Sequence, residues 1–295
     1  MNSILTAQNS SVPSDMDSAL ERFIHEIGIP PCPGILLRFM EEAGKEEPDY
    51  TQLTTIISAD VALSAGLIKT ANSAYFGARQ RARSVREALA ILGLRAASRA
   101  IAGIILRDSF PSSPMMERFW DTSARVARLS GWMAQQLKLS GLTPEDAYTF
   151  GLFRDCGIPI LLRHSSGYEK ILLEANNDLL QSFTSVEDAT LPTNHAIVGS
   201  ILAEDWRLPS DIFLAIRYHH ELALLNVEET RLPLFSRRLI AVAQFAEHIL
   251  QRQLGLSFTQ EWAKLGVACL QLLDISEENL IRLYDAAQPV ATASE

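Results

Sequence analysis

Lysine, cysteine and strand-like alternation are what this 295-residue sequence has least of. Its three cysteines, Cys32, Cys156 and Cys269, lie far apart with no Cys-x-x-Cys pair. An odd, scattered set suits neither a disulfide framework nor a thiolate zinc site, and free thiols of this kind point to a reducing cytoplasm. Long apolar runs are missing too. The longest, Ala100 to Leu106, falls far short of the roughly 18 to 20 residues that span a bilayer, so no membrane partner is expected. The N-terminal MNSILTAQNSSVPSD has neither a basic segment nor a long apolar one, which argues against a signal peptide. Positive charge is in deficit: 26 basic residues face 35 acidic ones, for a net charge of −9. That balance argues against nucleic acid as a partner. Only five of the basic residues are lysine. Arginine is the better fork for phosphate, but genomic codon bias explains the same ratio. There is no repeat at solenoid periods and no low-complexity tract.

What is present is helical periodicity. Apolar residues make up 47% and charged residues 21%, the composition of an ordinary globular chain, which excludes wholesale disorder. Residues 1–14 read as a flexible tail. Ser14 caps a first helix with Met16, Leu20, Phe23, Ile24 and Ile27 inward and Gly28 as its stop. Leu36, Leu37 and Met40 mark a second helix, ended by Gly44. Leu53, Ile56 and Ile57 mark a third, and Asp60 caps a fourth. Ser84 with Glu87 has the form of a capping box for a helix that breaks at Gly93. The Pro/Ser stretch from Asp108 to Pro114 reads as the main boundary. Beyond it the spacing predicts helices over 117–139, 144–162, 167–176, 193–206, 209–222, 234–254, 258–272 and 276–288. The expected fold is all-α in two helical lobes, 15–110 and 111–225, followed by a C-terminal helical extension, 226–288, and a tail, 289–295.

Two stretches go beyond generic helix. The first runs from Ile29 to Gly77, IPPCPGILLRF…LTTIISADVALSAGLIKTANSAYFG, followed by SVREALAILGLRAASRAI from Ser84. The second covers Phe119 to His220 and includes GLFRDCGIPILL, NHAIVGSILAEDWRLP and AIRYHH. Together they resemble the HDOD family, whose pattern includes Leu-Pro-x-x-Pro, Ile-x-x-Asp-x-x-Leu, Ala-Asn-Ser-x-x-(Tyr/Phe)-Gly and Ala-x-x-x-Leu-Gly. The resemblance implies an all-helical fold related to the HD-superfamily phosphohydrolases, most members having lost metal ligands. It also implies a role in bacterial signalling beside receiver, cyclic-di-nucleotide or kinase modules.

An HD phosphohydrolase activates water on metal held by histidines and carboxylates from several helices. Carried over residue by residue, the superfamily's first histidine falls near Thr122. The histidine of the His-Asp pair is Arg154, while its aspartate is kept as Asp155. The later histidine is kept as His195 and the His-His pair as His219 and His220; the closing aspartate falls near Gln244. A guanidinium cannot ligate a metal, so Arg154 beside Asp155 points to a metal-free vestigial site, with no cofactor, in which an ion pair or a phosphate pocket takes the space. His219 and His220, being adjacent on an expected helix, would point about 100° apart and not share one site. Trp120, Trp132 and Trp206 read as core or lobe-interface aromatics.

A second feature is basic. Seven arginines lie between Arg79 and Arg107 with a single acid, Glu87. Arg95 and Arg99 share one helix face and form a candidate phosphate or partner patch, set against a plain solvated basic face. The leading expectation is a non-enzymatic signalling module that docks a receiver, kinase or cyclic-di-nucleotide enzyme, or a phosphorylated small ligand. The alternatives are a phosphohydrolase with an altered mononuclear site on Asp155, His195 and one of His219 or His220, and a nucleotide sensor gripping phosphate through Arg154.

Overall fold

A computed structural model describes residues 23–73, 76, 81–226 and 232–292. The expected tail at 1–14, residues 293–295 of the tail expected at 289–295, the Ser14 cap with Met16 and Leu20, and Tyr75, Gly77 and Arg79 lie outside the described residues; 289–292 belong to the last helix instead. Among the described residues there is no strand, and the chain is an all-α assembly.

Capping sets the first lobe. Helix α1 (Gly34–Ala43) ends at Gly44, as the sequence predicts. The Asp49 carboxylate accepts from the backbone of Thr51 and Gln52 to start α2 (Tyr50–Ser58), and Asp60 accepts from Leu63 to start α3 (Val61–Ala71). Ser84 caps α4 (Val85–Asp108), and the Glu87 carboxylate reaches back past the cap to accept from the Arg83 N–H, a variant of the expected box. The helix breaks at Gly93 (φ 70°, ψ 163°), a conformation that a β-carbon all but forbids. Asn72, from the Ala-Asn-Ser segment, closes the loop that follows it: its side chain both donates to and accepts from the Ala82 backbone, at 2.9 and 2.7 Å. Helix α4 is long and apolar enough to cross a membrane, but 56% of its apolar window is buried inside the fold, so it serves as a core helix.

The second lobe begins with α5 (Pro114–Leu137), started by the Ser113 cap with proline in the first turn. Then come α6 (Pro144–Phe153), α7 (Gly157–His164), α8 (Tyr168–Asn177), α9 (Phe183–Asp188), α10 (His195–Asp205), α11 (Ser210–Tyr218) and α12 (Leu222–Asn226). The helix expected over 144–162 is in fact two: the chain turns at Arg154–Cys156 and restarts at Gly157. The expected 209–222 helix likewise ends early, at Tyr218, and the short α9 carries no periodic signal in the sequence.

The remaining helices are α13 (Leu234–Leu254), α14 (Glu261–Leu272) and α15 (Glu277–Thr292). The segment expected as an extension is central to the packing. Helix α13 is buried along most of its length and lies against α5, α6, α11 and α14. One continuous apolar core runs from Ile27 to Ala291 and joins both lobes. The Pro-rich opening is tied into it: the Trp206 indole donates to the Pro30 carbonyl at 2.9 Å, and Arg163 donates to the Gly28 carbonyl at 2.9 Å. Trp206 is thus the lobe-interface aromatic that the sequence suggests.

Candidate functional site

The turn between α6 and α7 presents Arg154 and Asp155 to the lobe interior. Helix α10 presents His195 from its first position, because Asn194 caps that helix through the Ile197 N–H while its amide is held by Asp188. For His195 to reach the turn, α7 and α10 must touch backbone to backbone. Gly157 permits this: a β-carbon there would lie 2.8 Å from the Gly199 nitrogen. The third element is the end of α11, where the chain leaves the helix at His219 and His220.

All four donor residues converge. Nε2 of His195 lies 3.3 Å from Nε2 of His219 and 3.2 Å from Nε2 of His220. Asp155 Oδ1 is 3.3 Å from Nε2 of His219 and 3.8 Å from Nε2 of His195. The expectation that only one of His219 and His220 faces the site is therefore corrected. It assumed a continuing helix, whereas the helix has ended, and both rings turn inward.

The outer nitrogens explain what the inner ones can do. His195 Nδ1 donates to Glu187 Oε2 at 2.7 Å, His219 Nδ1 to the Ile216 carbonyl at 2.7 Å, and His220 Nδ1 to Glu261 Oε2 at 2.5 Å. Each acceptor holds the proton on Nδ1 and leaves a lone pair on Nε2. Three lone pairs and a carboxylate oxygen then face one another within 4.8 Å, four of the six separations at 3.2–3.8 Å, an arrangement that repels itself without a cation or added protons between them. A tetrahedron with metal–ligand bonds of about 2.0–2.1 Å has edges of about 3.3 Å, close to these separations. Asp155, His195, His219 and His220 thus fit one metal ion.

Arg154 does not enter that tetrahedron. Its Nε donates to Asp155 Oδ2 at 2.9 Å and its Nη2 to Glu247 Oε1 at 2.7 Å, so the carboxylate shows the arginine one oxygen and the imidazoles the other. The expectation of a metal-free site took Arg154 to stand where a cation would sit. The guanidinium instead fixes a positive charge on the far side of Asp155.

Charge supports the same reading. Four carboxylates, Asp155, Glu187, Glu247 and Glu261, contact the cluster, against two fixed cations, Arg154 and Lys264. The excess is two negative charges, which one divalent ion balances. Burial alone would push the Asp155 carboxyl up, but Arg154 and the neighbouring imidazoles hold it well below the usual carboxylate range. Burial also works against a charged His195; the Glu187 carboxylate outweighs it and raises the ring's pKa, so that Nε2 is a strongly basic nitrogen for which a proton and a metal ion compete. His220 is pushed well below its ordinary value by burial and by the two other imidazoles, which keeps it neutral and available as a ligand.

The cluster opens on a cavity of about 290 Å³, lined by Asp155, His195 and His220 themselves and by Thr122, Arg118, Arg154, Asn176 and Phe258 among others. Thr122 therefore stands on the wall where the sequence places it. The late-helix carboxylate on this wall is Glu247, three residues beyond Gln244. Gln244 is buried without a hydrogen-bond partner for its amide, and the acid lies almost one helical turn further along α13. Sequence reasoning also missed Glu187, Glu261 and Tyr168, whose hydroxyl donates to Glu187. These residues support ligands from α8, α9 and α14, and no motif spacing links them to the histidines. Arg95 and Arg99 line a separate cavity that shares none of these residues.

A sequence profile described as the HDOD domain matches residues 29–222. An uncharacterized protein of Treponema pallidum (strain Nichols) is 27% identical over 203 residues; the match spans 66% of this chain but only 38% of that protein's length. Among solved structures, a Shewanella amazonensis SB2B protein named "Putative phosphohydrolase" superposes with a TM-score of 0.68 at 18% identity, over 93% of this chain and 96% of that one. An HDOD domain protein with unknown function from Geobacter sulfurreducens superposes with a TM-score of 0.66 at 22% identity, over 95% of this chain and 98% of that one. At these identities the two structures establish the fold and nothing finer.

Proposed function

The chain belongs to the HDOD family, and from that premise we propose that it is a non-hydrolytic signalling module built around one four-ligand metal centre. The observation that carries this reading is the gathering of the three imidazole Nε2 lone pairs around His195, with Asp155 Oδ1 beside His195 and His219 and Arg154 on the other side of the carboxylate. Catalytic metal sites commonly pair three protein ligands with an open position for water, while structural sites are closed by four. His195, His219, His220 and Asp155 would supply four. The second cation that a binuclear phosphohydrolase uses has its counterpart in a guanidinium, which neutralises carboxylates but activates no water. When bound, the ion would lock α7, α10 and the end of α11 together. In this reading the output is the docking of a signalling partner on a rigid helical surface. The test is elemental analysis of purified protein together with a screen for phosphomonoester and phosphodiester hydrolysis. Stoichiometric metal without turnover is the expected pair of results, and metal-dependent turnover lost in Asp155→Ala contradicts it.

One observation favours a second reading, a sensor of phosphorylated ligands. Arg154 is 4% exposed, and its Nη1 has no hydrogen-bond partner among the described residues although the residue lines the cavity at the cluster. A phosphoryl oxygen is the natural acceptor for such a donor. Calorimetry with nucleotides, repeated on Arg154→Met, separates this reading from pure partner docking.

A further inference from the structure

The arginine patch of the first lobe has a structure of its own. Arg99 on α4 is buried, with 9% of its side chain exposed, and its Nη2 pairs with Asp146 Oδ1 at 2.5 Å. The other Asp146 oxygen accepts from the Thr143 hydroxyl at 2.6 Å, so that carboxylate is fully engaged. Among the described residues Nη1 of Arg99 is buried without an acceptor. Leaving a charged donor unpaired in the interior is costly, and such groups commonly answer to a ligand.

The residue lines a cavity of about 650 Å³ between α1, α4 and the turn before α11. Two further guanidiniums stand on the same wall, those of Arg95 and Arg207, both exposed residues. With Asp146 engaged, one carboxylate, Asp211, opposes them. The rest of the lining is largely apolar and includes Leu36, Met40 and Phe235. Arg207 also holds a left-handed backbone (φ 58°) at the end of α10, where the Leu208 N–H reaches back to the Ala203 carbonyl at 2.9 Å. Glycine is the usual residue at that position.

We propose that this cavity is an anion site separate from the imidazole centre, taking the phosphomonoester of a small organic molecule. Arg95 and Arg207 close on the phosphoryl oxygens from the rim, the buried Arg99 guanidinium draws them by its charge from beneath, and the apolar wall receives the organic body. The proposal does not depend on a metal at the histidines.

The experiment is calorimetry on the full chain with phenyl phosphate and with inorganic phosphate, in wild type, Arg95→Gln and Arg207→Gly. Glycine suits the left-handed backbone, so Arg207→Gly should melt at or above the wild-type temperature and report on the guanidinium alone. Phenyl phosphate should bind more tightly than phosphate, and each variant should bind it about tenfold more weakly. Absence of binding in the wild type, unchanged affinity in both variants, or equal affinity for the two ligands overturns the proposal.

Discussion

Gly157 and His195 meet with no room for a side chain between them: a β-carbon on Gly157 would fall 2.0 Å from the His195 carbonyl oxygen. That contact lets the Asp155 turn and the His195 helix share one site, so the glycine is part of the centre without touching a ligand. Gly157→Ala must push α7 away from α10. The expected cost is about 1–3 kcal/mol, as for other overpacked interiors, with loss of bound metal. Gly34, around which a β-carbon meets nothing within 4 Å, is the control. Thermal melts and metal content of the two alanine variants check this; equal behaviour contradicts it.

The acceptors behind the histidines should matter nearly as much as the histidines. Glu187 takes the Nδ1 proton of His195 and a bond from Tyr168. Glu187→Gln keeps the shape but removes the charge that favours metal on His195. Metal affinity should fall by about 10–100-fold, measured by competition with a chelator of known affinity. Unchanged affinity means that the proton on Nδ1 is not held as described.

Arg154 joins Asp155 and Glu247 in the interior, and removing it leaves two carboxylates without their cation. Arg154→Met should cost about 3–5 kcal/mol in chemical denaturation, the range for breaking a buried pair from one side. Adding Glu247→Leu should recover part of that loss. If the single variant is as stable as wild type, the ion triad does not hold α13 to the turn.

Acid sensitivity should come in part from His248, away from the metal ligands. Its ring stacks on Trp262 at 4.5 Å, and burial lowers its pKa, with Arg252 adding to the effect. The unfolded chain takes up this proton near pH 6.5, above the folded protein. Its contribution to stability is therefore full above about pH 6.5 and is lost as the pH falls through the lowered folded value. His248→Phe keeps the stack and removes the titration. Its melting temperature should fall less between pH 7 and pH 5 than that of the wild type, and parallel curves would contradict this.

Much of the architecture is legible in the sequence because it is local. Ser84, Asp60, Thr143 and the Gly93 break are caps and stops whose chemistry involves only neighbouring residues. The retained histidines and Asp155 are legible through the HDOD resemblance. What the sequence hides depends on chain ends and on distance. The break after Phe153 has no proline or glycine until Gly157, so 144–162 reads as one helix although Arg154 and Asp155 sit in its turn. Likewise the early end of α11 decides that His219 and His220 share a site, and nothing local marks it. Glu187, Glu247 and Glu261 reach the cluster only through tertiary packing.

The central claim is that one divalent ion sits among His195, His219, His220 and Asp155. Elemental analysis of the full chain, purified without chelator, tests it most directly. The account predicts about one equivalent of a transition metal per chain, retained in Arg154→Met and lost in His195→Ala. Wild-type protein free of metal, unable to take up zinc, iron or manganese on reconstitution, would contradict it.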